Sequence, residues 1–126
     1  GLKSSKKKNR LTLDKLNKEI RNFSKNSEIS IKVLQTHKQF QAINFLQRNR
    51  NWANGILFIP TSWARNNFTI LETITLIQLK TSVVYFDGDF SFGTGIENSI
   101  FAHDKIESFT GNPIEACIQG IESLVK

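Results

Sequence analysis

Residues 56–70 read ILFIPTSWARNNFTI, which is an apolar run, a proline, a short polar stretch and then a second apolar pattern. The apolar run predicts a strand over 55–59 that is buried on both faces. The second pattern has helical spacing, and Asn66 or Asn67 is placed to cap that helix. A strand that leads through a loop into a helix is the unit of a parallel α/β sheet, whose ligands bind where the strands end. The loop nevertheless holds no nucleophile–base pair, no glycine-rich phosphate loop and no set of metal ligands.

The same two patterns recur on both sides of this stretch. Further strands are predicted at 29–34, 82–86 and 105–109, and a short helical piece at 97–102. Apolar residues at helical spacing predict four long helices. The residues expected to face inward are Leu13, Leu16, Ile20 and Phe23, then Ala42, Ile43, Leu46 and a less regular Phe40, then Ile70, Ile74 and Ile77, and finally Ile114, Cys117, Ile121 and Leu124.

Polar residues mark where the other helices begin. Thr12 is placed to cap the first helix, and Thr36 and Gln39 have the spacing of a capping box for the second. Asn112 followed by Pro113 predicts the start of the last helix, because proline fits the first helical position.

Strands that alternate with helices predict one α/β domain over residues 1–126, with a doubly wound parallel sheet between two helical layers. The length of 126 residues suits a single core and is too short for two. Because the chain opens with a helix, we expect one more strand upstream of Gly1.

The composition limits the classes of protein. No apolar run approaches the roughly 18 residues needed to cross a bilayer, and the charged start GLKSSKKKNR does not resemble a secretory signal. The single cysteine, Cys117, excludes an intrachain disulfide and favours a reducing compartment, the cytoplasm or another.

The formal net charge is +6, and part of the excess lies in a basic segment over 1–11 that includes Lys6–Lys8. Such an excess suits an anionic small ligand or an acidic partner, or else forms a solvated surface segment. We do not expect a nucleic-acid partner, since no aromatic residues interleave with these lysines to stack bases.

The order and spacing of several motifs resemble one family. Its opening GPNLNLLG ends on Gly1, and its later TL falls on Thr12-Leu13 without a gap. Its G-I-I-I-N-P-G-A-[YF]-[TS]-H-[TY]-S aligns with residues 55–67, and its E-V-H-[LI]-[ST]-N falls on 84–89. Its closing strand, turn and helix lie over 106–124. The chain therefore resembles the type II 3-dehydroquinate dehydratases, enzymes of the shikimate pathway.

The resemblance implies a flavodoxin-like fold and a homo-oligomer built from trimers, a dodecamer in the family. It implies neither a cofactor nor a metal. In the family a lid tyrosine, made basic by an arginine, removes a proton beside the substrate ketone. An asparagine holds a water that stabilises the enolate, and a histidine assists departure of the hydroxyl.

The positions that match the catalytic residues have lost this chemistry. The lid arginine and tyrosine fall on Lys3 and Lys8, and the water-holding asparagine falls on Ile59. The general-acid histidine falls on Phe86, or on Tyr85 if the register slips by one. The positions that match the substrate pocket are Gln35, Gln39, Pro60, Arg65, Leu71, Glu72, Asp87, Gly88, Asp89 and Glu97.

Loss of a base, a water holder and an acid together is severe, because each contributes about 10²–10⁴ in rate. We therefore expect a catalytically degenerate protein that serves as a structural or interaction subunit of an oligomer or larger complex. Two alternatives stay open. One is a divergent, active dehydratase with Lys8 or Lys3 as base. The other is a binding module for an anionic metabolite or acidic partner.

Overall fold

The computed structural model describes residues 13–87, 96–102 and 106–126, with the side chains from residue 16 onward. No helix in these ranges is long and apolar enough to cross a membrane. The described helices and strands are, in chain order, α1 (Leu13–Asn26), α2 (Gln39–Asn49), β1 (Gly55–Phe58), α3 (Phe68–Ile77), β2 (Lys80–Phe86), β3 (Glu107–Gly111) and α4 (Pro113–Leu124), with short 3₁₀ helices at Thr61–Arg65 and Ile96–Asn98.

The three described strands form an open parallel sheet in the order β1-β2-β3. Gly55 lies opposite Lys80 in the first pairing, and Phe86 lies opposite Gly111 in the second. The strands predicted at 55–59, 82–86 and 105–109 are therefore present, with ends that shift by one or two residues. The predicted α/β class with a parallel sheet is confirmed.

The central strand, β2, is buried on both faces because successive side chains point in opposite directions. Val84 and Phe86 lie in one apolar cluster with residues of α1 and α4, which we call the α1–α4 core. Val83 and Tyr85 lie in a second cluster with residues of α2 and α3, the α2–α3 core. The helices thus cover both faces of the sheet, two on each side.

Asparagine caps set the amino ends of α3 and α4. The Asn67 side chain accepts a hydrogen bond from the Ile70 backbone N–H at 3.2 Å. The Asn112 side chain accepts from the N–H groups of Ile114 and Glu115, and Pro113 follows it as the sequence predicts. These side chains satisfy backbone donors that have no partner inside the helix. Thr12, the predicted cap of α1, lies outside the described residues.

The strand predicted at 29–34 is absent: the described sheet contains no ladder with this segment. The residues that support a strand there, Ile29 and Ile31, are only partly buried and pack against the α1–α4 core. A β-type sequence forms a strand only where a neighbouring strand offers hydrogen-bond partners, and no described strand lies beside this segment.

Two details of α2 differ from the prediction. Thr36 does not cap it, since the residue at the N-cap is Lys38, which makes no side-chain cap bond. The Thr36 hydroxyl instead accepts from the Lys38 N–H and donates to the Gln41 side chain, so it forms a turn just before the helix. Phe40 was expected inward but is 61% exposed, because it lies off the face that carries Ala42, Ile43 and Leu46.

The packing of α3 can be tested with two substitutions in the same helix. Ile70 is fully buried in the α2–α3 core, whereas Leu76 is 74% exposed. Ile70→Ala should lower the free energy of unfolding by about 2–5 kcal/mol, because it leaves a cavity in the core. Leu76→Ala should change it by no more than about 0.5 kcal/mol. Urea unfolding of both variants measures this, and equal effects would contradict the placement of α3.

Candidate functional site

The three parallel strands end at one edge of the sheet, which we call the carboxyl edge. There β1 continues into Ile59 and Pro60, β2 into Asp87, and β3 into Asn112. The Asp87 N–H donates to the Gly111 carbonyl at 3.0 Å, so the pairing of β2 with β3 extends to the edge itself. Sheets of this type bind their ligands at this edge, and it is where the candidate residues belong.

The loop after β1 is a compact turn held from two sides. The Trp63 N–H donates to the Pro60 carbonyl and the Asn67 N–H to the Trp63 carbonyl, at 3.0 and 3.1 Å. Ala64 is fully buried, and its carbonyl accepts from the Ile100 N–H at 2.8 Å. The turn is therefore fixed against the segment 96–102.

Thr61, the first residue of this turn, has a left-handed backbone with φ of 47°. A β-branched residue is disfavoured in this region, whereas glycine adopts it freely. The family pattern that the sequence resembles has a glycine at this position. Nothing in the composition or periodicity of the sequence indicated this conformation.

The loop positions that match the family pocket are apolar or point to solvent. Pro60 is buried, and Ile59 is partly buried against the α1–α4 core. Ile59 has no side-chain donor with which to hold a water. The Arg65 side chain is exposed at the end of the 3₁₀ turn.

Phe86, at the end of β2, is a core residue. It is 6% exposed and lies in the α1–α4 core with Leu16, Ile20 and Cys117. A phenyl ring transfers no proton, and its contacts are those of packing. The position that matches the general acid therefore holds an apolar side chain directed into a helical layer.

Tyr85, the neighbouring candidate, points to the other face of the sheet. It is 4% exposed in the α2–α3 core, and its hydroxyl donates to the Ser99 Oγ at 2.6 Å. Burial raises the pKa of Tyr85, although hydrogen bonds with Ser99 and Ser108 act in the opposite direction. Tyr85 and Phe86 thus lie on opposite sides of the sheet, and Tyr85 stays a neutral phenol at ordinary pH.

The remaining pocket positions are dispersed. Leu71 is partly buried against the α2–α3 core, whereas Glu72 beside it is exposed. The others that the structure describes, Gln35, Gln39, Asp87 and Glu97, are all exposed. Lys3, Lys8, Gly88 and Asp89 lie outside the described residues.

Metal and thiol chemistry find no support in the described part of the chain. No group of three or more His, Cys, Asp or Glu side chains there is placed to hold a metal ion. Cys117 is buried, as predicted, and burial raises the pKa of its thiol to about 12. The thiol is therefore protonated near neutral pH and is not a nucleophile.

Ser99 is the polar residue that sequence reasoning missed. Its Oγ accepts from the Tyr85 hydroxyl and from the Phe101 N–H at 3.0 Å, and so links β2 to the segment 96–102. Phe101 is fully buried and its ring lies edge-on to Phe58, with 5.0 Å between the centroids. The segment is thus part of the core, although its sequence has no regular periodicity.

Comparison of the chain with protein-family models and with curated proteins found no match. The family resemblance therefore stays a prediction from the sequence, and the geometry of the carboxyl edge has to be judged by itself.

The buried state of Tyr85 has a spectroscopic test, since the chain has a single tyrosine. The tyrosinate absorbance of the folded protein should appear at a pH above the ordinary pKa of 10.0, and at the ordinary pH in urea. Because the pKa of Tyr85 is raised in the folded state, the neutral phenol contributes its whole stabilisation of the fold at pH values below the ordinary pKa. It is lost as pH rises through the folded value. A midpoint that is the same with and without urea would contradict the buried position.

The backbone of Thr61 can be tested by exchange for glycine. A non-glycine residue in the left-handed region lowers the free energy of unfolding by about 1–2 kcal/mol, and glycine relieves this strain. Glycine also makes the unfolded chain more flexible, which lowers the free energy of unfolding by about 0.4–1 kcal/mol. Thr61→Gly should therefore leave the free energy of unfolding unchanged or raise it by up to about 1 kcal/mol. The control is Glu72→Gly in α3, also exposed, which should lower it by about 0.5–1 kcal/mol. Equal losses in the two variants would exclude the left-handed conformation.

Proposed function

We propose that the chain is a type II 3-dehydroquinate dehydratase-like protein that has lost the dehydration chemistry and acts as a structural or interaction subunit of an oligomer or larger complex. In this proposal the fold is flavodoxin-like, and the three described strands are the last three of its five. The alignment of the family motifs with the chain carries the family part of the proposal.

The packing of Phe86 carries the functional part. A dehydratase of this type needs a proton donor at the end of the central strand, facing the substrate. Phe86 fills that position as a core residue, and Tyr85 has its hydroxyl committed to Ser99 on the opposite side of the sheet. Neither residue can deliver a proton to a substrate at the carboxyl edge, so neither candidate position supplies a general acid for departure of the hydroxyl.

Two further observations support a degenerate member of this family. Ile59 occupies the position of the water-holding asparagine and packs against the α1–α4 core, so a developing enolate would lack that water. Thr61 retains a left-handed backbone where the family has glycine, as expected if the loop kept its shape while its residues changed.

Exposed apolar residues support the interaction role. Phe40 in α2 and Phe68 in α3 are both more than 60% exposed, and the two helices pack against each other. Leu76 adds a third exposed apolar side chain on α3. In the proposal, these exposed side chains of two adjacent helices belong to the contact surface.

Turnover of 3-dehydroquinate tests the proposal directly. The purified chain should show no dehydration above the uncatalysed rate, because proton donor and water holder are both missing. A genuine type II enzyme assayed in parallel is the positive control. Turnover that Lys8→Ala abolishes would contradict the proposal and favour a site rebuilt around lysine.

The same purified chain shows whether it assembles with copies of itself or needs a different partner. Mass measurement under native conditions should give a defined oligomer, as the family resemblance implies. A monomer without activity would leave the partner to be found in a larger complex. Saturable binding of an anionic metabolite that charge reversal at Lys6, Lys7 and Lys8 removes would instead favour the binding-module alternative.

A further inference from the structure

The helices α2 and α3 each direct one exposed stripe away from the sheet. Their buried residues, among them Ala42, Ile70 and Ile74, lie in the α2–α3 core, and the two helices pack against each other. The exposed stripes therefore lie side by side on the outer surface of this helical layer, which we call the α2–α3 face. Every fourth residue marks the stripes: Phe40, Asn44 and Arg48 on α2, and Phe68, Glu72 and Leu76 on α3.

The α2–α3 face carries large apolar side chains that folding leaves in water. Phe40 is 61% exposed, Phe68 63% and Leu76 74%. With roughly 150–250 Å² available on each phenylalanine, the three side chains expose on the order of 300–400 Å² of apolar surface. A patch of this size is often functional, and it is less than half of the roughly 800 Å² that each partner of a stable complex buries. The apolar part of the face therefore suits a short segment of a partner.

The charge of the face has one predominant sign. The sequence has no Asp or Glu between Glu28 and Glu72, a stretch that includes all of α2 and the loop before α3. Exposed cations lie at both ends of the face, Lys38 and Arg65 where the helices begin and Arg48 and Arg50 where α2 ends. The face thus combines an apolar patch with a cationic border.

The stability of the helices does not explain the cations at their amino ends. The helix dipole favours carboxylates in the first turn, yet neither α2 nor α3 has an acidic residue there. Lys38 instead occupies the N-cap of α2 and makes no side-chain cap bond. A cation at this position opposes the dipole, so its charge is available to a group outside the helix.

The fold adds a further cation at the opposite end of α2. The Lys32 Nζ donates to the Asn49 Oδ1 at 3.1 Å and lies 4.3 Å from the centroid of the Trp52 ring. Asn49 stands between Arg48 and Arg50 in the chain, so three cations lie close together at this end. Like charges at short range repel, and an anionic partner would relieve that repulsion.

We propose that the α2–α3 face binds an acidic, amphipathic segment of another protein. Its apolar side chains cover Phe40, Phe68 and Leu76, and its carboxylates meet the cations at the two ends of the face. The inference rests on the proposed interaction role and names the partner of that role.

Charge complementarity selects this occupant. A second copy of the chain fits poorly, because a two-fold contact would place two positive faces against each other. A nucleic acid fits poorly as well, since Leu76 offers no ring on which a base could stack and Glu72 repels phosphate.

The test uses the full chain and two synthetic amphipathic peptides of about 15–18 residues, long enough to form a helix. One carries leucine on its apolar side and glutamate on both borders, and the control has lysine in place of every glutamate. The acidic peptide should bind saturably with a Kd below about 1 mM and shift the amide signals of Phe40, Asn44, Phe68 and Leu76. The lysine peptide should bind at least about tenfold more weakly.

Paired charge reversals separate the face from the net charge. Arg48→Glu with Arg50→Glu should weaken binding of the acidic peptide by about tenfold or more. Lys18→Glu with Lys25→Glu makes the same change in net charge on α1, in the opposite helical layer, and should alter binding by less than about twofold.

Removal of the exposed rings tests the apolar contact. Phe40→Ala with Phe68→Ala should weaken binding of the acidic peptide by about tenfold or more. Val125→Ala, at an equally exposed residue just after α4, should leave it unchanged. Urea unfolding checks that these variants keep their fold, as expected for exposed positions.

Four outcomes would overturn the proposal. They are no saturable binding of the acidic peptide, equal weakening by the two charge-reversal pairs, tighter binding of a single-stranded oligothymidine at the same residues, and self-association that covers the face and excludes the peptide. Turnover of 3-dehydroquinate is measured separately. Turnover together with peptide binding would refute the proposed loss of chemistry alone, whereas neither turnover nor binding would refute the acidic partner alone.

Discussion

The structure depends on the burial of β2 from both sides. Every residue of this strand after Lys80 is buried, and the alternation of side chains sends Val84 and Phe86 to one helical layer and Val83 and Tyr85 to the other. Parallel pairing with β1 and β3 satisfies its backbone, and the helices satisfy part of its polar content. The Ser82 hydroxyl, for example, donates to the Gly120 carbonyl of α4 at 2.9 Å. Neither helical layer would be held in place without this strand.

The same burial limits what the carboxyl edge can do. An active site at this edge needs polar side chains on the last residues of the strands and in the loops that follow. Here the apolar character of β2 continues to its last residue, Phe86, and the strand β1 passes through Ile59 into a buried proline. The loop after β1 is fixed by its own backbone and by Ile100.

Features set by local chemistry were predictable from the sequence. The strands β1 and β2, the α3 and α4 caps at Asn67 and Asn112, and the burial of Cys117 follow from short-range patterns, although only Ile56 of β1 is fully buried and the burial predicted on both faces holds for β2 alone. The strand predicted at 29–34 is absent from the described sheet, because pairing depends on a neighbour that the segment itself cannot specify. Phe40 was placed inward although it lies off the apolar face of its helix, and the role of Ser99 depends on a tyrosine fourteen residues away. The apolar character of candidate positions 59 and 86 was visible in the sequence, but the opposite orientations of Tyr85 and Phe86 became clear only from the sheet.

The proposed function rests on a carboxyl edge that has kept its shape and lost its site. Titration of the isotope-labelled protein with 3-dehydroquinate, followed through the amide signals of Trp63, Asp87 and Asn112, tests this most directly. We expect signals that do not move in a saturable way, because Ile59 and Phe86 are apolar side chains at the positions that match the family's water holder and proton donor. Saturable shifts confined to these residues would show that the edge still binds the substrate, and would contradict the claim.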